Sequence, residues 1–244
     1  MRTKGIILIS FFALFACLFV KIDANAMNTG FSTEELSEEQ KTTFLSNIGL
    51  STIITEPNKN SILCFDANEH GMIAVGTKGS RNGRKEVYVY TTEGDFLYGY
   101  AFNCAQSFAV EWDEQLLNIF FVRSDIIISL DQNGNVLDIK SVQDTINNNS
   151  HSNLLLYSTE RKVGNASYIV RNDMGPLNWL AFSYSQIVAV DSAGTENVIY
   201  DVNSMQLTKT IVGIVFISIF VFIIILGIAR EFIKAKRNKK NETF

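Results

Sequence analysis

From about Asn60 onward, apolar and polar positions alternate with period two, the spacing of strands that turn one face inward. Met72-Ile73-Ala74-Val75-Gly76 leads through a polar loop, Thr77 to Lys85, into Val87-Tyr88-Val89-Tyr90, a turn Thr91-Thr92-Glu93-Gly94 and Phe96-Leu97-Tyr98. A second copy runs Leu117-Asn118-Ile119-Phe120-Phe121, Ile126-Ile127-Ile128-Ser129-Leu130, the turn Asp131-Gln132-Asn133-Gly134, then Val136-Leu137. A third runs Trp179-Leu180-Ala181-Phe182, Ile187-Val188-Ala189-Val190, the turn Asp191-Ser192-Ala193-Gly194, then Val198-Ile199-Tyr200. Gly94, Gly134 and Gly194 sit 40 and then 60 residues apart, and the longer interval holds the Asn-rich insertion Ile146-Asn147-Asn148-Asn149-Ser150-His151. A short antiparallel turn needs positive φ near its end, which Gly supplies, and an acceptor side chain at its start, which Asp131 and Asp191 supply and Thr91 varies. A period of about 40 residues with about four strands each predicts blade-like meanders of the propeller kind. Pro57 ahead of the first unit and Pro176 in a turn leave the strands free of proline.

Two segments carry a different period. Ser32-Thr33-Glu34-Glu35 has the spacing of a capping box, Leu36, Phe44 and Ile48 give a thin apolar face, and Gly49 suits a C-cap, so a short helix is expected over Ser32 to Gly49. Glu34, Glu35, Glu38 and Glu39 form its solvated face. Thr210 to Ala229 is an uncharged stretch of 20 residues, about 30 Å as a helix, enough to cross the hydrocarbon core of a bilayer. At the other end, Met1-Arg2-Thr3-Lys4, an apolar run to Val20 and Ala24-Asn25-Ala26 have the layout of a secretory signal cleaved after Ala26.

Charge divides along the same boundaries. Met27 to Thr208 holds eleven Lys or Arg against twenty-two Asp or Glu, whereas the tail from Arg230 to Phe244 holds six against two. Arg230, Lys234, Lys236, Arg237, Lys239 and Lys240 follow the apolar stretch directly, which sets the C-terminus in the cytoplasm and residues 27 to 209 outside. An acidic outer domain argues against nucleic acid as a partner. At 47% hydrophobic and 19% charged residues the chain is neither disordered nor a cysteine-stapled mini-protein.

Chemistry-bearing residues are sparse. Outside the membrane, Cys64 and Cys104 form an even pair and a disulfide is expected between them. Asp131, Asn133 and Asn135 with Asp138 offer oxygens at alternate positions, as a calcium loop does, although the spacing reads first as a hairpin turn; Asp66, Asn68 and His70 before Gly71 read the same way. His70 and His151 are expected in separate loops, with no nucleophile elbow, paired metal ligands or phosphate loop nearby, so no cofactor and no catalytic residue is assigned. Tyr88, Tyr90, Phe96, Tyr98, Tyr100, Trp112, Phe120, Phe121 and Trp179 are expected mostly in the core. Asn148 and Asn165 begin glycosylation triplets.

Cys64-Phe65-Asp66-Ala67-Asn68-Glu69-His70-Gly71-Met72-Ile73-Ala74-Val75, with Val87-Tyr88-Val89-Tyr90 and Gly94-Asp95-Phe96-Leu97, resembles a blade of the NHL-type and related six-bladed β-propellers. The likeness covers residues 60 to 203, is strongest in the first unit and weakest in the third, and departs from the family in having too few units for a closed ring. The resemblance implies ring closure by oligomerisation, completion by a partner, or a smaller sandwich-like domain. The expected fold is mainly β, with propeller-like repeated antiparallel β-meanders in about three units. The expected domains are a signal peptide at 1–26, an N-terminal helix and linker at 27–59, the β domain at 60–205, a transmembrane helix at 210–229 and a basic tail at 230–244. The expected role is a single-pass binding or scaffolding module at the plasma membrane, with the bilayer and a protein partner or a second copy as its contacts. A propeller-type enzyme using a carboxylate-bound divalent metal and an accessory subunit of a membrane complex are the alternatives.

Overall fold

A computed structural model describes residues 27–79, 83–181 and 183–241; the expected signal peptide and Phe182 lie outside the described residues. The first elements are β1 (Thr33–Glu35), α1 (Glu38–Ile48) and β2 (Ser51–Ile53). The first unit then forms β3 (Ile62–Ala67), β4 (Met72–Lys78), β5 (Arg84–Thr91) and β6 (Phe96–Asn103), and the second forms β7 (Phe108–Asp113), β8 (Leu116–Phe121), β9 (Ile126–Leu130) and β10 (Val136–Val142). After α2 (Ile146–Tyr157), the third unit forms β11 (Glu160–Val163), β12 (Ala166–Arg171), β13 (Gln186–Val190) and β14 (Glu196–Asp201), and α3 (Asn203–Asn241) ends the described chain. Every ladder is antiparallel, in sheets ordered β2-β6-β5-β4-β3, β1-β10-β9-β8-β7 and β11-β12-β13-β14. The sheets do not close into a ring.

They stack face to face with the first sheet in the middle. Ala74, Val87, Val89, Tyr100 and Phe102 point into a core shared with Val110, Leu117, Ile119, Phe121 and Ile128 of the second sheet. Ile73, Val75, Tyr88 and Tyr90 point the other way, onto Tyr168, Val170, Ile187, Ile199 and Tyr200 of the third. Neighbouring residues of a strand face opposite sides, so a strand buried on both sides must be apolar at every position, and Val87-Tyr88-Val89-Tyr90 is. Edge-to-face rings lock the first interface, with Phe102 at 5.2 Å from Phe108 and 5.1 Å from Phe121.

The Asn-rich insertion folds as α2, capped by the Thr145 hydroxyl on the Asn148 amide. Leu155 of α2, with Met27 and Phe31, covers the outer face of the second sheet over Ala109, Phe120 and Ile127. Asn148 is buried, its amide group donating to Ser32 O (2.9 Å) and Gln143 O (2.7 Å), so this triplet presents no free acceptor for a glycan. His151 lies on this helix and not in a loop.

Two other expectations are corrected. The capping box is Ser37 with Gln40 and not Ser32 with Glu35, because residues 33–35 pair as a strand with β10 and the helix starts only after them; Gly49 closes it at φ +52°. Trp179 to Ala181 is not a strand: Pro176 opens a 3-10 turn, Gly175–Leu180, and Trp179 is 80% exposed instead of packed in the core. The helix that holds the expected span at 210–229 runs unbroken from Asn203 to Asn241, so the backbone at Arg230, Lys234, Lys236, Arg237, Lys239 and Lys240 continues it beyond that span. Its stretch Asn203–Glu231 is long and apolar enough to cross a membrane, and the apolar part is unburied.

Phe108, 1% exposed between the first two sheets, tests the stacking. Phe108→Ala is expected to lower the unfolding free energy of the full chain in detergent by about 3–5 kcal/mol, read from urea titration.

Candidate functional site

The edge strands β7 and β11 both come against the edge strand β3. Asp66 joins all three: its Oδ2 accepts from the Trp112 amide on β7 (2.8 Å) and its Oδ1 from Arg161 Nε on β11 (3.1 Å). The Trp112 indole returns a bond to Asp66 O at 3.3 Å. Arg161 has its Nη2 on Leu154 O and Leu155 O, carbonyls in the last turn of α2, and its guanidinium lies 5.3 Å from the Phe65 ring. Burial holds the Asp66 carboxyl above the usual range despite the Trp112 amide and Arg161, because a charge between sheets has lost its water.

Beyond this knot the three hairpin turns that follow β3, β7 and β11 enclose a polar cleft of about 300 Å³, lined by Asn68, Glu69, His70, Glu114, Lys162 and Gly164 among others. Asn68 reaches across it to donate to Glu114 O at 2.8 Å. Glu114 (φ +52°) and Gly164 (φ +57°) take the left-handed backbone that two-residue hairpin turns require. Sequence reasoning read Asn68 and His70 only as a turn, placed Trp112 in the core and passed over Glu114, Arg161 and Lys162. Only the docking of separate sheets brings them together, and no local spacing encodes that.

The repeat turns share one hydrogen-bond scheme. Asp131 Oδ1 accepts from the amides of Asn133 (3.0 Å) and Asn135 (2.8 Å), and the Gly134 amide donates to Asp131 O (3.0 Å). Asp191 does the same with Ala193, Thr195 and Gly194, and the Thr91 hydroxyl with Glu93, Asp95 and Gly94. Asn68 makes a fourth copy with His70, Met72 and Gly71. Gly94, Gly134 and Gly194 have φ of +91°, +82° and +80°. The amides of Thr195 and Ala193 hold the Asp191 carboxyl below its ordinary range. With Asn135 Nδ2 on its Oδ2, Asp131 is committed to its own turn. None of these three turns lines the cleft.

Because strands alternate in direction within each meander, the turns after β5, β9 and β13 lie at the same end as those after β3, β7 and β11. That end carries Glu69, Glu93, Asp95, Glu114, Asp131 and Asp191 with Lys162 as its one exposed lysine, while α3 leaves from the opposite end. Among the described residues no three His, Cys, Asp or Glu are grouped to hold a metal. Neither a family model, nor a curated protein, nor a solved structure matches the chain.

The expected disulfide is absent: Cys64 and Cys104 are free. Cys64 is on β3 and Cys104 follows β6, at opposite edges of the meander, three strand spacings or about 14 Å apart across the sheet and further still along it, whereas a bridge needs Cα atoms within about 7 Å. Burial pushes the Cys64 thiol up to about 12 and raises Cys104 as well. A maleimide is therefore expected to label both cysteines without reductant once the chain is unfolded, with Cys104 reacting first in the native protein and Cys64 only on unfolding.

A second polar cluster ties the N-terminal segment and α2 to β7. Glu111 accepts from His151 (2.9 Å), the Thr29 hydroxyl and the Gly30 amide (3.1 Å). Burial alone would raise the Glu111 carboxyl, but these donors outweigh it and hold it below its ordinary value. A depressed folded value means the stabilisation is present above the unfolded carboxyl pKa of about 4.3 and is lost as pH falls through the folded value. Glu111→Gln is expected to flatten the loss of thermal stability between about pH 5 and 3, measured against the wild type over the same range.

Proposed function

We propose that the chain is a single-pass membrane-anchored module that binds a basic protein partner outside the cell through its acidic turn face. One observation carries this reading: the helix fit to cross a membrane leaves one end of the sheet stack, and six short turns that together carry five exposed carboxylates, Glu69, Glu93, Asp95, Glu114 and Asp191, occupy the other. An anchor at one end leaves the far end free to meet a partner, and carboxylates facing water attract a cationic surface over a range set by ionic strength. The basic residues from Arg230 onward favour a cytoplasmic C-terminus, which sets the turn face outside.

In this reading the three meanders are propeller-like blades in an open arc. The arc needs no second copy at the second sheet, since α2, Met27 and Phe31 already cover that face. Recognition then rests on the turns, as in other scaffolds whose loops cluster on one end of rigid sheets.

Orientation is tested by labelling intact cells with a membrane-impermeant maleimide after Cys104→Ser: Glu69→Cys is expected to react and Thr243→Cys to react only after permeabilisation, and the reverse order would overturn the topology. Binding is tested with a fluorescent oligolysine peptide. Glu69→Lys with Glu114→Lys is expected to weaken it by at least tenfold and to reduce its salt dependence, whereas the equal charge change Glu38→Lys with Glu39→Lys on α1 leaves it within twofold. Equal losses from both pairs would sink the assignment to the turn face.

A further inference from the structure

At the end from which α3 departs, the 3-10 turn Gly175–Leu180 leans on the first turns of the helix. Asn203 accepts from the Asp173 amide at 3.2 Å, and the Thr210 hydroxyl lies 4.0 Å from Met174 Sδ, so the turn and the helix start are held as one piece. Between them runs an open groove of about 260 Å³.

Its two halves differ in chemistry. One half is polar, with Ser183, Gln206 and Lys209; the other is apolar, with Leu180, Gly213, Ile214 and Ile217. On α3 these positions fall three or four apart and so share one face of the helix. The apolar half begins where the apolar span begins, at Thr210. A side chain at Gly213 would meet nothing within 4 Å, so the protein leaves this part of the groove unfilled. Gln206 is only 5% exposed, donates Nε2 to Ser183 O, and leaves its Oε1 without a partner. Lys209 is exposed and has no ion pair among the described residues. Beside Leu180, the 80% exposed Trp179 and the half-exposed Tyr184 are the aromatic types that settle at a membrane–water interface.

We propose that this groove seats one anionic phospholipid of the leaflet nearest the sheets, its phosphate at Lys209 and an acyl chain along Leu180, Gly213, Ile214 and Ile217, with Trp179 at headgroup level. The proposal rests on α3 spanning the bilayer. A soluble ligand would leave the apolar half facing hydrocarbon with no role; a lipid matches a site that changes from polar to apolar at the depth where the surrounding medium does. The lone cation favours an anionic headgroup over a zwitterionic one.

The test reconstitutes the full chain in phosphatidylcholine vesicles doped with phosphatidylglycerol, one or the other brominated on its acyl chains, and follows tryptophan emission. Trp112 lies at the far end of the stack and stays unquenched; Trp179→Phe is expected to remove the quenching. Brominated phosphatidylglycerol is expected to quench Trp179 more than its share of the lipid predicts. Lys209→Glu should cut that preference about fivefold, and Gly213→Phe, which fills the groove, should abolish it while carbonate-resistant insertion persists. Equal quenching by the two brominated lipids, or a preference that survives both variants in an inserted protein, would overturn the seat alone. Release of the wild type by alkaline carbonate would overturn the spanning reading and the seat with it.

Discussion

The middle strands of the first sheet, β4 and β5, have no solvent face, and the rest of the molecule is arranged around that condition. These strands bury side chains on both sides, so two further sheets must be supplied, and they come from the two units that follow in the chain. Close approach on both sides constrains small residues as well as large ones. A Cβ on Gly76 would sit 2.4 Å from Cys64 Sγ and 2.9 Å from the Phe108 ring, so the second sheet can lie this close only where a side chain is missing. The same burial that makes Cys64 a packing residue sets it across the sheet from Cys104, and a reactive pair becomes a core position and a half-buried thiol.

Where two sheets pack on one, polar groups at the seam must be matched or they cost free energy. Asp66, Trp112 and Arg161 perform that matching at the adjoining edges of the three sheets, and Arg161 extends it to the last turn of α2. A buried carboxylate with one guanidinium is a weak source of net stability but a strong source of register, because any slip leaves a charge unpaired between sheets. That fixed register aligns the hairpin turns at one end and gathers their carboxylates there. Tyr200 and Asn60 exchange hydrogen bonds of 2.6 and 2.8 Å across the other interface, and Lys59 lies over the Tyr90 and Tyr200 rings, so the third sheet is tied to the first away from the knot as well.

The molecule's polarity follows from strand direction. Each four-stranded meander ends with its last strand running away from the turn face, so a helix that continues β14 must leave from the opposite end. Asn203, Gln206 and Thr210 bind the start of α3 to residues 173–183 of the third sheet's connection, which carries that direction into the helix without a flexible joint.

Much of this was legible in the residues themselves. Strand positions, the Gly turns at 94, 134 and 194 with Asp131, Asp191 and Thr91 before them, the Gly49 cap and the apolar helix all depend on local backbone preference or on continuous hydropathy, which act over a few neighbouring residues. The tertiary structure decided what depends on distance between segments. It chose Ser37 over Ser32 as the helix cap because β10 claimed residues 33–35, made a helix of the Asn-rich insertion because the second sheet had a bare face to cover, and separated Cys64 from Cys104 by the width of a meander. It also placed Trp179 outside the core and assembled Asp66, Trp112 and Arg161, residues up to 95 positions apart in the chain. The period of a sequence specifies which face of a strand is buried, but only the packing of complete sheets specifies what that face is buried against.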